Sequence, residues 1–380
     1  MSDLLEVYSK LPITIAKAKG AYLWDDQNEK YLDFYGGHAV ISIGHQNPRY
    51  VDSLKSQLEK IAFYSNAIQT PLQEELASKL LSISGLSSYK VFLCNSGAEA
   101  NENALKISSF HTGKRKFLYF SGAFHGRTAA ALAVTDNSRL LAPMHQSVEA
   151  VCSPLNDKEA FLETFLKHKE ELSGVIIEGI QGIAGIIEPE KDFLSLVDKT
   201  CKRYGVSLIL DEVQSGAGRT GEFFAFQKAG ITPELISLAK GIGNGFPVAV
   251  VLANDSISVE KGSIGTTFGG NQLACSAVIS VLDEIKNQNT LKQNLILGKY
   301  LIGKLKELCV PVKVRGRGLM IGIEFEFPVA SLLTSLRNNH KILLGSSSNP
   351  FTMRVLPPYC ITHSDIDYFI DALKVETLKQ

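Results

Sequence analysis

Three short segments place reactive side chains among small residues, and the first could bind phosphate. Ser96, Gly97 and Ala98 follow the apolar run Lys90–Leu93 and open a helical pattern. Backbone N–H groups point out of a helix N-terminus, and glycine lets an anion approach them closely. The alternative is an ordinary serine N-cap with Glu99 at the third helical position. The local pattern leaves both interpretations open.

The second segment contains a carboxylate at the end of a predicted strand. Asp211 follows the apolar run Val206–Leu210, and Gln214 comes three residues later. In a parallel sheet this position faces the edge where ligands bind, although a strand-end aspartate that only caps the next loop is common. The same loop continues as GAGRTG. Its glycines do not lie between a strand end and a helix start, which argues against a dinucleotide-binding module.

The third segment surrounds a single lysine with apolar and small residues. Lys240 lies in ISLAKGIGNGFP. Lysine is rarely fully buried, and burial lowers the pKa of its amine, which prepares it to attack an aldehyde. The alternative is a lysine at a helix C-terminus followed by glycine, where the helix dipole favours a cation. We expect no metal site, because no HExxH or His/Cys cluster occurs, and we interpret His125 as structural.

Alternating strand-like and helix-like patterns must position these segments. Short apolar runs predict buried strands at Lys90–Leu93, Lys116–Phe120, Gly174–Ile177, Val206–Leu210 and Pro247–Leu252. Helical patterns between them include Ala98–Phe110 and Phe193–Tyr204. This alternation indicates an α/β fold with a mostly parallel sheet covered by helices on both faces. Ligands bind such sheets at the carboxyl ends of the strands, where the three segments lie.

The two ends of the chain differ from its middle. Strand-like runs there are Tyr22–Asp25 and Lys30–Phe34, which predict an antiparallel hairpin, and Met320–Phe325 and Met353–Leu356. We expect residues 1–48 and 289–380 to form a small α+β domain together. Residues 49–288 would form the large α/β domain.

Composition excludes several classes of protein. Lys plus Arg equals Asp plus Glu at 39 each, so the basic surplus typical of nucleic-acid binding is missing. No stretch approaches the ~18 consecutive apolar residues of a membrane span, and the N-terminus lacks a signal-peptide pattern. The six cysteines include no CxxC pair. We therefore expect a reduced, cytoplasmic, globular protein with no nucleic-acid or membrane partner.

A phosphate-binding segment, a strand-end aspartate and a reactive lysine together meet the needs of pyridoxal 5'-phosphate (PLP). The chain resembles the class III, fold type I PLP-dependent aminotransferases, in their acetylornithine (acylornithine) branch, over nearly its whole length. The matching stretches are NSGAEANENALK, AFHGRT, LILDEVQSGAGRTGEFFAFQ, LAKGIGNGFPVA, GTTFGGNQLAC, VRGRGLMIGIEF and MRVLPPYCIT. The resemblance implies a homodimer with active sites at the subunit interface.

The resemblance also implies roles for the matching residues. Lys240 would bind the aldehyde of PLP and later move the substrate proton. Asp211 would keep the pyridine nitrogen protonated, and Gln214 would bond the ring hydroxyl. The other implied cofactor contacts are Ser96, Gly97 and Ala98 at the phosphate, Phe124 on the ring face, Glu178, and Thr267 at the phosphate of the partner subunit's cofactor.

Two arginines are implied to bind substrate carboxylates, since a guanidinium can bond a carboxylate through two parallel N–H groups. Arg127, with Thr266 nearby, would bind an N-acylornithine, and Arg354 would bind glutamate or 2-oxoglutarate. The implied reaction transfers the ω-amine of N-acetyl- or N-succinylornithine to 2-oxoglutarate, in arginine biosynthesis. Free ornithine and 4-aminobutyrate are alternative donors. A non-catalytic PLP-fold binding protein is the alternative of another class, and the intact Lys240 and Asp211 argue against it.

One departure from the family pattern bears on substrate choice. The family usually reads EPIQGEGG where this chain reads EGIQGIAG, so Ile183 replaces a glutamate. In related enzymes that glutamate pairs with the arginine matching Arg354 while the amino donor is bound. We therefore expect Arg354 to stay open to any α-carboxylate. Such a site favours N-acylated ornithine, because acylation makes the α-amine unreactive.

Overall fold

The computed structural model describes residues 3–143, 148–308 and 312–379. Within these ranges the free cysteines are Cys94, Cys152, Cys201, Cys275 and Cys360. Cys309 lies outside the described residues. No described helix combines the length and the apolar character needed to traverse a bilayer.

Strands and helices alternate through the middle of the chain. In chain order the strands are β1 (Ile15–Lys19), β2 (Tyr22–Asp25), β3 (Lys30–Asp33), β4 (Tyr89–Cys94), β5 (Lys116–Phe120), β6 (Glu149–Ser153), β7 (Leu172–Glu178), β8 (Ser207–Asp211), β9 (Leu235–Leu238), β10 (Ala249–Asn254), β11 (Lys313–Arg317), β12 (Met320–Glu324), β13 (Ile342–Leu343), β14 (Gly345–Ser346) and β15 (Thr352–Val355). The longer helices span Pro48–Lys60, Pro71–Ser84, Gly97–Thr112, Lys158–His168, Lys191–Tyr204, Gln272–Asn287, Thr290–Lys306, Ala330–His340 and His363–Thr377.

The large central sheet has the strand order β4-β10-β9-β8-β7-β5-β6. Its strands pair in parallel except β10, which is antiparallel to both neighbours. β7 and β8 are buried along their whole length, which explains their continuous apolar sequences. The predicted mostly parallel α/β fold is therefore confirmed. β10 begins two residues later than predicted, because Pro247 has no N–H to donate to a strand neighbour.

The helix after β4 has a capping residue at each end. Ser96 is its N-cap, and the Ser96 Oγ accepts a hydrogen bond from the Glu99 N–H at 3.2 Å. The helix ends at Gly113, whose φ of 69° is the left-handed conformation that glycine adopts without steric cost. The local capping interpretation of Ser96 is therefore correct. It is compatible with anion binding, because the same turn opens the helix N-terminus at the sheet edge.

The two ends of the chain build the remaining sheets and share one hydrophobic core. One sheet has the order β1-β2-β3-β13, so a C-terminal strand pairs with the N-terminal hairpin, and the other has the order β11-β12-β15-β14. In the core, the rings of Phe34 and Phe369 lie 5.1 Å apart. This arrangement supports a small domain made from both ends. The bounds 1–48, 49–288 and 289–380 stay a prediction.

The GAGRTG loop joins this smaller part to the central sheet. Arg219 is fully buried and donates hydrogen bonds to the main-chain carbonyls of Ile41, Leu319 and Pro357. A Cβ added at Gly221 would lie 2.2 Å from Leu295. The loop therefore packs against other parts of the chain. This agrees with the sequence argument against a dinucleotide-binding module.

Candidate active site

The candidate site lies at the carboxyl edge of the central sheet. Glu178 and Asp211 are register partners at the ends of β7 and β8, and Lys240 follows β9. A cavity of about 400 Å³ opens at this edge, within the usual size range of ligand pockets. The sequence-predicted residues that line it are Ser96, Gly97, Ala98, Phe124, Arg127, Glu178, Asp211, Gln214 and Lys240.

Three donors hold the Asp211 carboxylate in one orientation. Its Oδ2 accepts hydrogen bonds from the Asn101 side-chain amide and from His125 Nδ1, both at 2.7 Å. Its Oδ1 accepts from the Val213 N–H at 2.9 Å. The residue is only 4% exposed. A carboxylate fixed at the floor of a cavity in this way can serve a cationic ring nitrogen above it.

The part that Asn101 and His125 play in this arrangement was not predicted from the sequence. His125 does more than pack, because it bonds Asp211 directly and its Nε2 has no hydrogen-bond partner among the described residues. Asn101 lies three residues after Ala98, so both face the same side of the helix. Its Oδ1 accepts from the Ser237 hydroxyl at 2.5 Å. The helical spacing from Ala98 is the signal that could have found Asn101.

Lys240 has a backbone conformation that non-glycine residues rarely adopt. Its φ is 50°, and it opens a short turn directly after β9. The helix C-terminus interpretation is therefore wrong. The amine lines the cavity and donates no hydrogen bond to a described residue. Burial lowers the pKa of this amine, Asp211 and Glu178 oppose that shift, and the charge of Arg354 adds to it. Left-handed residues of this kind are concentrated at functional sites.

Close packing joins the helix N-terminus to the Asp211 loop. A Cβ added at Gly97 would lie 2.6 Å from the Val213 side chain. Gly126, with a φ of 136°, approaches Ala98, since a Cβ there would lie 2.9 Å from the Ala98 Cα. Larger side chains at these two glycines would displace the backbone N–H groups that open onto the cavity.

Two further polar side chains line the cavity. The Gln214 amide donates to the His38 carbonyl at 3.1 Å, while its Oε1 is buried and has no partner among the described residues. The Glu178 carboxylate accepts from the N–H groups of Phe124 and Gly182, each at 3.0 Å. Burial raises the pKa of Glu178 to about 7, with His125 opposing and Asp211 adding to the shift. Gln214 Oε1, unlike the Glu178 oxygens, therefore lacks a hydrogen-bond partner among the described residues.

Arg354, Thr266 and Thr267 do not line the cavity. Thr266 accepts a hydrogen bond from the Asn95 side chain at 2.9 Å, and Thr267 is exposed on the surface. Arg354 lies on β15, is 2% exposed and donates from Nε to the Ser346 carbonyl at 2.6 Å. A second nitrogen donates to the Tyr35 hydroxyl at 3.5 Å. Tyr35 therefore lies beside the guanidinium, a contact that was not predicted, and the openness of Arg354 to an α-carboxylate stays a prediction.

No group of three or more His, Cys, Asp or Glu side chains within the described ranges is arranged to hold a metal ion.

A sequence model of the family Aminotransferase class-III matches residues 6–376. The chain belongs to the class III aminotransferases. The acetylornithine aminotransferase of Aquifex aeolicus is 39% identical to this aminotransferase, over 98% of this chain and 99% of the relative. The [LysW]-aminoadipate semialdehyde/glutamate semialdehyde transaminase of Sulfurisphaera tokodaii is 37% identical, over 96% and 94%.

Solved structures agree with this assignment. The acetylornithine aminotransferase from Elizabethkingia anophelis superimposes on this class III aminotransferase with a TM-score of 0.83. Sequence identity is 27%, and the match covers 99% of this chain and 96% of the other. The predicted family and the predicted fold type are confirmed.

Proposed function

We propose that this class III aminotransferase transfers the ω-amine of an N-acylornithine to 2-oxoglutarate, as a step of arginine biosynthesis. The products are the N-acyl semialdehyde and glutamate. The observation that carries the proposal is the convergence of Lys240, Asp211 and Gln214 on one cavity. The substrate class is supported by relatives named acetylornithine aminotransferase, which are 36–39% identical over nearly the whole chain.

Family membership makes PLP the cofactor, and the cavity fits it. The unpartnered Oε1 of Gln214 offers an acceptor for the ring hydroxyl, and the helix N-terminus at Ser96, Gly97 and Ala98 offers donors for the phosphate. Phe124 provides an aromatic face for the ring. When bound, PLP supplies an electron sink for the charge that develops on the substrate carbon.

Lys240 and Asp211 perform the central tasks in this proposal. Lys240 would hold the cofactor by its aldehyde until the substrate amine displaces it, and the released Nζ would then move the proton to and from the substrate carbon. A lowered amine pKa raises the unprotonated fraction that can do so. Asp211 balances the charge of the ring nitrogen. Asn101 and His125 keep the Asp211 carboxylate in place through two 2.7 Å hydrogen bonds.

Substrate carboxylates are assigned to two arginines. Arg127 is exposed at the cavity and would bind the α-carboxylate of the N-acyl donor. The resemblance assigns Thr266 to the same substrate. Arg354 would bind the α-carboxylate of glutamate or 2-oxoglutarate. Its charge reaches the centre of the site, since it contributes to the lowered pKa of Lys240.

The proposal includes a cytoplasmic homodimer in which Thr267 serves the phosphate of the partner subunit's cofactor. Beside Thr267, the ring of Phe268 is 61% exposed and lies 5.3 Å from the ring of Phe63. Tyr64 and Ile68 extend this exposed apolar surface. Surfaces of this kind favour association. A second copy covering it would bring Thr267 toward the neighbouring site.

A panel of amino donors tests the proposal. N-acetylornithine, N-succinylornithine, free ornithine and 4-aminobutyrate are each supplied with 2-oxoglutarate, and glutamate formation is measured. Both acylated donors should exceed free ornithine at least about tenfold in kcat/KM, or about 1.4 kcal/mol. Preference for free ornithine or 4-aminobutyrate would refute the assigned donor. A visible absorbance band removed by borohydride, without turnover of any donor, would indicate the non-catalytic alternative.

The Sulfurisphaera tokodaii relative supports a second candidate donor class. At 37% identity over most of both chains, it falls within the 36–39% range of the acetylornithine enzymes. Its name indicates a substrate linked to LysW. The LysW-linked donor named there therefore belongs in the panel, and turnover of it alone would favour this candidate.

A further inference from the structure

The turn from Gly36 to Ala39 is left-handed at each of its residues. The φ angles are 55° and 54° at Gly36 and Gly37, 67° at His38 and 65° at Ala39. L-residues with side chains rarely adopt this conformation. The Asp33 carboxylate stabilises the start of the turn by accepting hydrogen bonds from the N–H groups of Gly36 at 2.7 Å and Tyr35 at 3.1 Å. Such a conformation persists only where the surroundings impose it, often at functional sites.

The turn connects two aromatic side chains to Arg354. The Tyr35 hydroxyl is hydrogen-bonded to Nδ1 of His38, and the two rings lie 4.8 Å apart. The same hydroxyl accepts from Arg354 Nη2 at 3.5 Å, and the Arg354 Cζ lies 5.8 Å from the Tyr35 ring centroid. Arg354, Tyr35 and His38 thus form a continuous relay of donors and acceptors.

Burial and nearby charges decide whether His38 and Tyr35 carry a proton. Burial lowers the pKa of His38, and the charges of Arg354 and Lys240 add to the shift. Burial raises the pKa of the Tyr35 phenol. His38 is therefore neutral near neutral pH and accepts at Nδ1, while Tyr35 keeps its proton and donates.

One nitrogen of the Arg354 guanidinium, Nη1, has no partner in the described part of the chain and is left for a ligand. Arg354 Nε donates to Ser346, and the Ile183 carbonyl accepts from the N–H of Ser348 at 2.8 Å, which fastens the same segment. The isoleucine side chain offers no acceptor. Arg354 Nη1 is buried and has no hydrogen-bond partner among the described residues. A carboxylate is the natural partner for that unused donor.

We propose that Tyr35 is a specificity residue that donates a hydrogen bond to the α-carboxylate bound by Arg354, and that His38 is the positioning residue that holds Tyr35 there. With no carboxylate present, the phenol proton lies toward His38. When glutamate or 2-oxoglutarate arrives at Nη1, the hydroxyl turns to the carboxylate, which is a stronger acceptor than neutral imidazole. This inference rests on the proposed function, because it takes the acid bound at Arg354 to be one of these two.

The test separates binding from turnover. Glutarate, an unreactive dicarboxylate, is titrated into PLP-loaded wild type and Tyr35→Phe by calorimetry. The variant should bind glutarate about tenfold more weakly, as expected for loss of one hydrogen bond to a charged group. In single-turnover assays of the variant, the half-saturating concentration of 2-oxoglutarate should rise by a similar factor. The half-saturating concentration of N-acetylornithine should stay within about twofold of the wild-type value. Tyr368→Phe removes an exposed phenol that bonds the His340 carbonyl, and it serves as the matched control.

Two variants test the role of His38 without straining the turn. Glycine and asparagine both accept a positive φ, so His38→Gly removes the acceptor and His38→Asn supplies an amide oxygen. His38→Gly should raise the KM for 2-oxoglutarate at least about threefold at unchanged kcat, and His38→Asn should recover part of the loss.

Glutarate affinity of Tyr35→Phe within twofold of wild type would overturn the proposal. Equal losses in both half-reactions would also overturn it, because they would indicate a structural role. If wild type transaminates no acylornithine but Tyr35→Phe still weakens glutarate binding tenfold, the proposed donor is wrong and the assignment of Tyr35 to Arg354 stands.

Discussion

Replacing Asp211 with asparagine tests the centre of the active site. The carboxylate receives donors at both oxygens, two at Oδ2 and one at Oδ1. An amide –NH₂ placed on either side therefore faces a donor, and at least one hydrogen bond is lost. We expect a decrease of about 1–3 kcal/mol in the free energy of unfolding from that loss.

The effect on catalysis should be larger than the effect on stability. Asp211→Asn removes the negative charge assigned to the ring nitrogen of the cofactor. Removing one electrostatic contact in an enclosed site typically costs about 3–4 kcal/mol of barrier, or roughly 10²–10³-fold in rate. Both half-reactions depend on the same ring. Stopped-flow absorbance should therefore give a loss of at least about a hundredfold in kcat/KM for the N-acylornithine and the 2-oxoglutarate reactions alike.

A matched substitution controls for the general effect of losing a buried carboxylate. Asp198 is a buried carboxylate on the helix Lys191–Tyr204, paired with Lys202 at 2.8 Å and absent from the cavity lining. Asp198→Asn should keep both rates within about twofold of wild type. A loss below tenfold in Asp211→Asn, or a loss confined to one half-reaction, would refute the role assigned to Asp211.

Other predictions address the nucleophile, the assembly, the donor and pH. Lys240→Ala should abolish transamination while PLP still binds through the remaining contacts, as measured by cofactor retention after gel filtration. Activity of dilute enzyme should fall together with dimer content in sedimentation if Thr267 completes the neighbouring site; a fully active monomer would contradict this. Ile183→Glu should narrow the preference for N-acetylornithine over free ornithine and weaken glutamate binding, both read from kcat/KM. Hydrogen bonding by Lys379 lowers the pKa of Glu376 to about 2, against an ordinary value of 4.5. Its ionised form therefore stabilises the fold above about pH 4.5, and this contribution disappears as pH falls toward 2. The urea midpoint of Glu376→Gln should lie below that of wild type at pH 7, and the gap should shrink below about pH 4.5.

Much of the fold was predictable because buried parallel strands have continuous apolar sequences. β5 was predicted at its observed bounds, Lys116–Phe120, and β7 and β8 differ from their predictions by one or two residues. The motifs around Lys240 and Asp211 identified the family, the fold type and the cofactor, all of which are confirmed. The individual cofactor and substrate contacts and the domain bounds remain predictions.

Contacts between distant residues could not be predicted in the same way. Asn101 and Asp211 are 110 positions apart, and Tyr35 and Arg354 are 319 apart. Hydrophobic periodicity reports which face of an element is buried, but it carries no information about which polar groups meet across two elements. The contact between Tyr35 and Arg354 was missed for this reason.

The hydrogen bonds of Arg219 restrict how the protein can move while substrates are exchanged. The Arg219 guanidinium donates hydrogen bonds to main-chain carbonyls of three chain segments, at Ile41, Leu319 and Pro357. Swinging the smaller part of the molecule away from the central sheet would break these bonds together and leave a buried cation without partners, which is costly. The enzyme should therefore behave as one stiff body during a catalytic cycle. Donor and acceptor would then alternate through rotations of individual side chains, while the domains keep their relative position.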